Sequence, residues 1–169
     1  MNKAFLVLFF LISSFSYCQE SIQAVSKYPL QIGDIKFNEK IDKVNFELCL
    51  EHIFQYFENS GSLEYEGEKL AIEEEFFKKY KSDYLKNENG LIRIQFVVNC
   101  KGETDRFRLI SMDENYKNKQ FHKSITDQLL NITRNLKGWK PKKIENHKID
   151  YYQYLIFKIK NGQLKEILP

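Results

Sequence analysis

An amphipathic stripe near the carboxyl end of the chain is the pattern that most restricts its fold. Over Gln120–Leu136, apolar residues recur at steps of four, four, three and four, which are the spacings of one face of an α-helix. The stripe consists of Phe121, Ile125, Leu129, Ile132 and Leu136. Because a helix with one apolar face must bury that face against another layer, the stripe predicts a helix packed on a sheet or on other helices.

The residues before this helix predict a β-hairpin. Leu91–Asn99 alternates apolar and polar residues, which is typical of a strand with one buried face. Glu103–Met112 follows as the partner strand, although its charged residues weaken the alternation. The turn between the two strands contains Gly102, which is free to adopt a positive φ.

The residues after the helix predict a second hairpin. Ile149–Lys160 is a long run rich in aromatic and β-branched residues, as expected of a strand. Asn161-Gly162 favours a two-residue type I′ turn, so Gln163–Ile167 is expected to fold back as a short last strand. The predicted fold class is therefore α+β, with a small antiparallel sheet packed by amphipathic helices.

Two further helices are predicted in the first half of the chain. An apolar face over Asn45–Phe57 is formed by Phe46, Leu50, Ile53, Phe54 and Phe57. A second helix is predicted from about Glu68 to Lys86. We therefore expect a flexible leader over residues 19–42, an N-terminal helical extension over residues 43–64, and the main domain over residues 65–169.

The first eighteen residues have the anatomy of a secretory signal peptide. Met1–Lys3 is positively charged, Ala4–Ile12 is almost wholly apolar, and Ser13–Cys18 is small and polar. The apolar run is shorter than the roughly 20 residues needed to span a bilayer, so no transmembrane segment is expected to be retained. The pattern predicts export to the periplasm or the medium. Lipidation at Cys18 is the less favoured alternative, because Tyr17 is bulky for a lipidation site.

Removal of residues 1–18 leaves two cysteines, Cys49 and Cys100. In an oxidising compartment an even pair favours a disulfide, and the alternative is two buried free thiols. Such a bond would close a loop of about fifty residues and contribute on the order of 4 kcal/mol to stability. It would tie the N-terminal segment to the main domain.

The sequence predicts neither catalysis nor a cofactor. It contains no nucleophile elbow, no phosphate-binding loop and no dinucleotide fingerprint. Cys49 and His52 are spaced as two ligands of a zinc site, but a structural site needs four, so no metal is expected. Removal of residues 1–18 takes away Lys3 and leaves 25 basic and 23 acidic residues, and a net charge of only +2 in an exported protein argues against nucleic acid as a partner. Five lysines around Trp139 (Lys137, Lys140, Lys142, Lys143 and Lys148) are interpreted as a solvated rim, with docking to an acidic partner or to lipopolysaccharide phosphates as the alternative.

The order of these elements resembles a known family. "GLIRIQFVVNCKGETDRFRLI", "ITDQLLNITRNLKGWKPKK" and "YYQYLIFKIKNG" follow one another as hairpin, helix with a Trp-x-Pro element, and strand. Together with the upstream "YEGEKLAIEEEFF", they resemble the TonB C-terminal domain family in its Bacteroidetes type. The resemblance covers about Tyr65 to Gly162. It implies the same α+β architecture over the main domain.

The segment "KGWKPKK" has a structural interpretation within that resemblance. Gly138 is expected to end the helix in a left-handed cap, and Pro141 prevents the helix from continuing. Trp139, the only tryptophan of the chain, is expected to pack over the seam between helix and sheet. Together with Gly102, these residues form a structural signature of the fold.

The resemblance also implies a function. In the family, the domain binds partner proteins by pairing an extended peptide with a sheet edge. We expect an exported, non-enzymatic interaction module of the cell envelope, with the candidate partner surface on the Ile149–Lys160 strand at Tyr152, Tyr154 and Ile156. The terminal hairpin would pair with that same edge and occlude it.

The sequence predicts neither the identity of the partner protein nor the oligomeric state. An alternative is an envelope structural or accessory protein that self-associates through the N-terminal helices, with Phe54 and Phe57 exposed in the monomer. Energy transduction to outer-membrane transporters is not expected, because the sequence shows neither a retained anchor nor a Pro-rich spacer.

Overall fold

A five-stranded sheet with two helices on one face makes up most of the described molecule. The computed structural model describes residues 35–57, 63–82 and 85–168. In chain order the elements are β1 (Phe54–Gln55), α1 (Glu68–Lys79), β2 (Gly90–Val98), β3 (Thr104–Met112), α2 (Lys123–Arg134), β4 (Lys142–Ile144), β5 (His147–Ile149), β6 (Tyr151–Lys160) and β7 (Gln163–Leu168).

The sheet has the order β1-β6-β2-β3, with β7 also paired to β6. Strand β6 is therefore central, with β2 along one side and both β1 and β7 along the other. The predicted α+β class is confirmed. The sheet is mixed rather than purely antiparallel, because β1 pairs with β6 in parallel. A separate hairpin, formed by β4 and β5, was not predicted.

The helical face of the sheet carries the main core. The predicted alternation in β2 is confirmed, since Ile92, Ile94, Phe96 and Val98 are all fully buried on this face. The predicted stripe on α2 packs against them, and its five residues are 0–6% exposed. The helix itself is shorter than predicted and ends at Arg134, so Phe121 and Leu136 join the core from the flanking loops.

The opposite face of the sheet is covered at one end by residues 35–57, which we call the N-terminal arm. The predicted helix over Asn45–Phe57 is wrong: the segment consists of turns and bends, followed by the two-residue strand β1. Its side chains Ile35 and Ile53 form a second, smaller buried cluster with Val97 of β2 and Tyr152 of β6. Long-range pairing with the sheet has prevailed over the local helical spacing.

The second predicted helix forms but stops early. Helix α1 ends at Lys79, because Tyr80 takes an extended conformation and its hydroxyl donates to the carbonyl of Gly162 at 2.7 Å. That bond ties the end of α1 to the β6–β7 turn. Neither helix in the described part of the chain is long and apolar enough to cross a bilayer. The predicted signal peptide and most of the predicted leader lie outside the described residues.

Candidate functional site

The four signature residues lie side by side at the joint between the β2–β3 turn and the segment that follows α2. Gly102 has the predicted positive φ of 82°, and a Cβ placed there would lie 2.6 Å from the carbonyl oxygen of Trp139 and 3.5 Å from Cδ of Pro141. The prediction of a left-handed cap at Gly138 is wrong, because its φ is not positive and the helix ends four residues earlier. A Cβ at Gly138 would instead lie 2.7 Å from the ring of Tyr65.

Trp139 is a packing residue of this joint. It is 5% exposed, and its ring contacts Tyr65 and Phe96 edge-on, at centroid distances of 4.9 and 5.1 Å. Its indole Nε1 is buried and has no hydrogen-bond partner among the described residues. Tyr65 and Trp139 also form an isolated antiparallel bridge. The joint therefore connects the start of α1 with the end of α2, and offers no room for a stacked ligand on the indole.

A disulfide joins Cys49 of the N-terminal arm to Cys100 of the β2–β3 turn, as predicted, with 6.0 Å between the two Cα atoms. The fully buried carboxylate of Asp150 lies beside it. Its oxygens accept hydrogen bonds from the backbone N–H groups of Cys49, Leu50 and Cys100 at 2.6, 2.9 and 2.8 Å. The Asp150 side chain therefore binds the backbone on both sides of the disulfide.

This cluster is the only group of His, Cys and acidic side chains with metal-binding spacing in the part of the chain that the structure describes. Both of its sulfur atoms are bonded to each other, and its carboxylate is occupied by backbone N–H groups. The cluster is therefore built as an anchor for the arm.

An ion pair holds the arm at its other end. The guanidinium of Arg108 donates to both carboxylate oxygens of Asp42 at 2.7 Å, and also to the carbonyl of Lys36. The Asp42 side chain is 1% exposed, and the hydrogen bonds from Arg108 hold its pKa below its ordinary value. The backbone N–H of Lys43 donates to the Asp105 carboxylate at 2.8 Å. Sequence reasoning missed these contacts, because they join residues more than sixty positions apart.

The predicted partner surface on β6 is largely closed. The terminal hairpin forms as predicted, and β7 pairs with Ile156–Lys160, while β1 pairs with Tyr151 and Tyr152. Only Gln153–Leu155 lacks a ladder partner on this side among the described residues. There the Gln153 side chain donates to the carbonyl of Tyr154 at 2.9 Å. The interior position of β6 leaves little backbone for an added strand.

The three side chains proposed for this surface have different surroundings. Tyr152 is 2% exposed, and its hydroxyl accepts a hydrogen bond from the Ile35 N–H, so its ring is not available to a partner. Tyr154 is half-buried beneath the guanidinium of Arg93, 4.5 Å from its ring centre. Burial and a hydroxyl contact with Tyr56 raise the pKa of Tyr154 to about 12. Ile156 is half-buried and lies opposite Arg93 on β2.

The lysines around Trp139 are not a uniform rim. Lys137, Lys140, Lys143 and Lys148 are exposed, as interpreted from the sequence. Lys142 is 2% exposed, and its ammonium donates to the carbonyl of Tyr56. The interpretation was therefore wrong for Lys142. Its ammonium group is buried and binds a backbone carbonyl oxygen of the N-terminal arm.

Strand β3 lies at an edge of the sheet formed by the described residues. Among the described strands β3 pairs with β2 alone, and Met112 at its end forms an isolated antiparallel bridge with Asn118. The carbonyl of Ser111 accepts a hydrogen bond from the N–H of Lys119, in the loop outside the sheet, so Ser111 points its backbone away from β2. Because successive residues of a strand point their backbone groups to opposite sides, Leu109 also faces outward, whereas the register shift opposite Gln95–Val97 interrupts the alternation before Phe107. The guanidinium of Arg108 donates to the carbonyl of Phe107 at 2.9 Å, and the backbone of Leu109 has no outward partner among the described residues.

A groove runs beside this open edge, between β3 and α2. Its cavity has a volume of about 320 Å³, and its walls include Leu109 and Ser111 from β3 and Phe121, Thr126 and Leu130 from the helix side. We call it the edge groove. Leu109 and Leu130 are half-buried and packed on the main core, and Phe121 is 4% exposed. An open strand edge beside an apolar groove is the geometry that binds an extended peptide.

No family model, no curated protein and no solved structure matches the chain. The site must therefore be interpreted from its own geometry.

Proposed function

We propose that this protein is an exported, non-enzymatic interaction module of the cell envelope that binds an extended segment of a partner protein by strand addition. The fold that supports the proposal contains the order β2, β3, α2 and β6, which is the order of hairpin, helix and strand that the TonB C-terminal domain resemblance implies. The partner is a protein of the envelope. The disulfide supports export, since such bonds persist in oxidising compartments.

The binding edge that we propose is β3 rather than β6. Strand β6 is flanked on both sides, so an added strand would have to displace β7 or β1. The observation that carries the proposal is the outward-facing backbone of Leu109 beside the edge groove, which has no partner on that side in the described part of the chain. Unpaired edges invite association, and proteins usually cover or charge them. Here part of the edge is covered by Arg108 and by the loop at Lys119, which leaves a defined opening.

Site-specific photo-crosslinking in the native envelope tests this proposal. A photoreactive amino acid at exposed Gln120, on the lip of the edge groove, should give an adduct with another protein. The same amino acid at exposed Lys165, on the far edge strand β7, is the matched control and should give none. Adducts of equal yield at both positions, or at neither, would contradict strand addition at β3.

Self-association is the second candidate function. The predicted route through N-terminal helices is lost, because the arm contains no helix among its described residues and Phe54 packs against the main core. Phe57, however, is 57% exposed, as that route expected. In the crosslinking experiment, an adduct of twice the mass of the chain would support a homodimer over a partner protein. Sedimentation of the purified protein would provide an independent measure of its oligomeric state.

A further inference from the structure

We propose that the protein binds the phosphate monoester of a lipid headgroup in a cationic pocket at the N-terminal arm, with an apolar side chain of the arm entering the membrane surface beside it. The inference goes beyond the proposed function, because it concerns a different surface: no residue that lines this pocket also lines the edge groove. It rests on the charges around the pocket, on its available hydrogen-bond donors, and on an exposed turn of the arm at its rim.

The pocket lies where the arm meets the β2–β3 turn and the end of α2, and we call it the arm pocket. Its cavity has a volume of about 350 Å³. Its charged lining residues are Lys43 of the arm, Glu103 of the β2–β3 turn, and Arg134 and Lys137 at and after the end of α2. Three segments that are distant in the sequence therefore contribute to one cavity. It has room for a phosphate group and several water molecules, since one water occupies about 30 Å³.

The three cations of the arm pocket lack a counter-ion. Among the described residues, none of Lys43, Arg134 and Lys137 takes part in an ion pair. The carboxylate of Glu103 is engaged by the Asn99 side chain, which donates to it at 2.8 Å. Because like charges around one cavity repel each other, an external anion would relieve the repulsion. Three positive charges and one negative charge match a phosphate monoester, which carries about two negative charges near neutral pH.

Neutral polar groups add hydrogen-bond donors to the arm pocket. The Asn45 amide and the Thr104 hydroxyl line it, and neither side chain forms a hydrogen bond with another described residue. The last carbonyls of α2 would repel an anion, but they accept hydrogen bonds from the backbone N–H groups of Asn135 and Leu136. Arg134 supplies a guanidinium, the group that binds two phosphate oxygens at once. The pocket therefore presents donors of the kinds that phosphate requires.

An exposed apolar side chain stands at the rim of the arm pocket. The N–H of Phe46 donates to the carbonyl of Lys43 at 3.2 Å, which closes a turn with Val44 and Asn45 at its tip. Val44 is 83% exposed, although turn tips usually carry glycine or small polar residues. Both of its neighbours in the sequence line the pocket. A ligand phosphate in the pocket would therefore bring the rest of the ligand close to Val44.

The surroundings of Val44 favour a lipid over a soluble phosphate. One exposed apolar side chain is normal on a protein surface, but Ile41, which follows exposed Lys40, is also 53% exposed. Apolar side chains interleaved with lysines are typical of segments that bind anionic membrane surfaces. The turn is held to the fold, because the N–H of Lys43 donates to the Asp105 carboxylate at 2.8 Å. A bound membrane surface would bury Val44 without moving this turn.

Vesicle sedimentation tests the proposal with purified oxidised protein that lacks residues 1–18, the predicted signal peptide. Phosphatidylcholine vesicles carry either phosphatidic acid, whose headgroup is a phosphate monoester, or phosphatidylserine, at matched surface charge. The protein should bind the phosphatidic acid vesicles about tenfold more tightly, because only a monoester presents three free oxygens to the pocket. Methyl phosphate should bind more weakly than the vesicles and shift the amides of Lys43, Thr104 and Lys137.

Variants at exposed positions separate the arm pocket from general attraction of charge. K43Q, R134Q and K137Q should each weaken binding to phosphatidic acid vesicles about fivefold, since each removes one partly solvated ionic contact. K148Q is the matched control, because Lys148 is an exposed lysine outside the pocket lining, and it should bind like the native protein. V44S should weaken vesicle binding about fivefold and leave the affinity for methyl phosphate unchanged, since it removes an apolar contact alone.

Three results would overturn the proposal. Equal binding to both kinds of vesicle, or an equal loss in K148Q and the pocket variants, would show attraction of charge without a phosphate site. Binding of neither vesicle would exclude the lipid, and binding of methyl phosphate in that case would identify a soluble phosphate as the ligand. Vesicle binding that V44S leaves unchanged would contradict entry of the turn into the membrane surface. Crosslinking at Gln120 tests strand addition at β3 separately, so either proposal can fail alone.

Discussion

At the scale of single residues, Trp139 is a side chain whose loss should weaken the fold strongly. It contacts Tyr65 and Phe96 at the joint between α1, α2 and the β2–β3 turn. We expect W139A to lower the free energy of unfolding by about 3–5 kcal/mol, measured by urea denaturation. W139F is the matched control and should lose much less, because it retains a ring and the indole Nε1 has no partner among the described residues. Equal losses in both variants would contradict a packing role.

Asp42 should make stability depend on pH. Its pKa in the folded protein is lowered, chiefly by the hydrogen bonds from Arg108. The stabilisation is therefore complete above the unfolded pKa of about 4 and is lost as pH falls through the lower folded value. D42N should lose about 1.5–3 kcal/mol at pH 7 and show a smaller further loss on acidification. E47Q, which removes an exposed partner of Lys101, should behave like the native protein. If D42N lost as much unfolding free energy on acidification as the native protein, this assignment would be contradicted.

The role of a residue was predictable where its local sequence determines it, and was not predictable where a contact with a distant residue determines it. Trp139 in a Trp-x-Pro element and Gly102 in a turn were assigned correctly from the sequence. Gly138 is needed for the close approach of Tyr65, which lies more than seventy positions earlier. Lys142 is buried because a carbonyl of the arm receives its charge. Neither contact can be predicted from the residues next to it in the sequence.

At the scale of elements, the open edge of β3 should be visible in hydrogen exchange. The amides of Arg108 and Ile110 face β2, whereas that of Leu109 faces outward. We expect the Leu109 amide to exchange at least about tenfold faster than those of its two neighbours. The paired strands β2 and β6 provide the control, since protection in β2 should not alternate in this way. Uniform protection along β3 would show that something covers the edge.

Element predictions succeeded where the period was clear and the burial was one-sided. Strand β2 and helix α2 each show several repeats of their own period and were placed within three residues of their observed ends. The arm also has helical spacing, yet it forms turns, because β1 pairs with β6 and Asp150 binds the backbone at Cys49 and Leu50. Local periodicity does not include such long-range pairing.

At the scale of the whole molecule, the disulfide should contribute a large share of the stability. It spans a sequence separation of 51, for which the chain-entropy model gives about 4 kcal/mol. We expect the double variant C49A/C100A to unfold at a correspondingly lower urea concentration. Reductant should lower the midpoint of the native protein and leave that of the double variant unchanged. A reductant-insensitive native midpoint, or no two-proton rise in intact mass on reduction, would contradict the bond.

The candidate site that we propose depends on sheet order, and for that reason the sequence pointed to β6 instead of β3. The terminal hairpin and its occlusion of β6 were predicted from Asn161-Gly162. The position of β6 between β2 and β1 follows from pairings across about sixty to one hundred residues, and local patterns do not specify them. The position of β3 at one edge is recognisable only once the order of the strands is known.

The bond between the arm and the β2–β3 turn also determines how this molecule would carry tension. A pull that enters before Ile35 reaches Cys49, crosses the two sulfur atoms to Cys100, and continues toward β7. Residues 50–99, which contain α1 and β2, lie outside that covalent load path. While the bond is intact, an applied force cannot extend these residues. Reduction would release a further extension of roughly 170 Å, so the oxidised protein behaves as a much shorter tether.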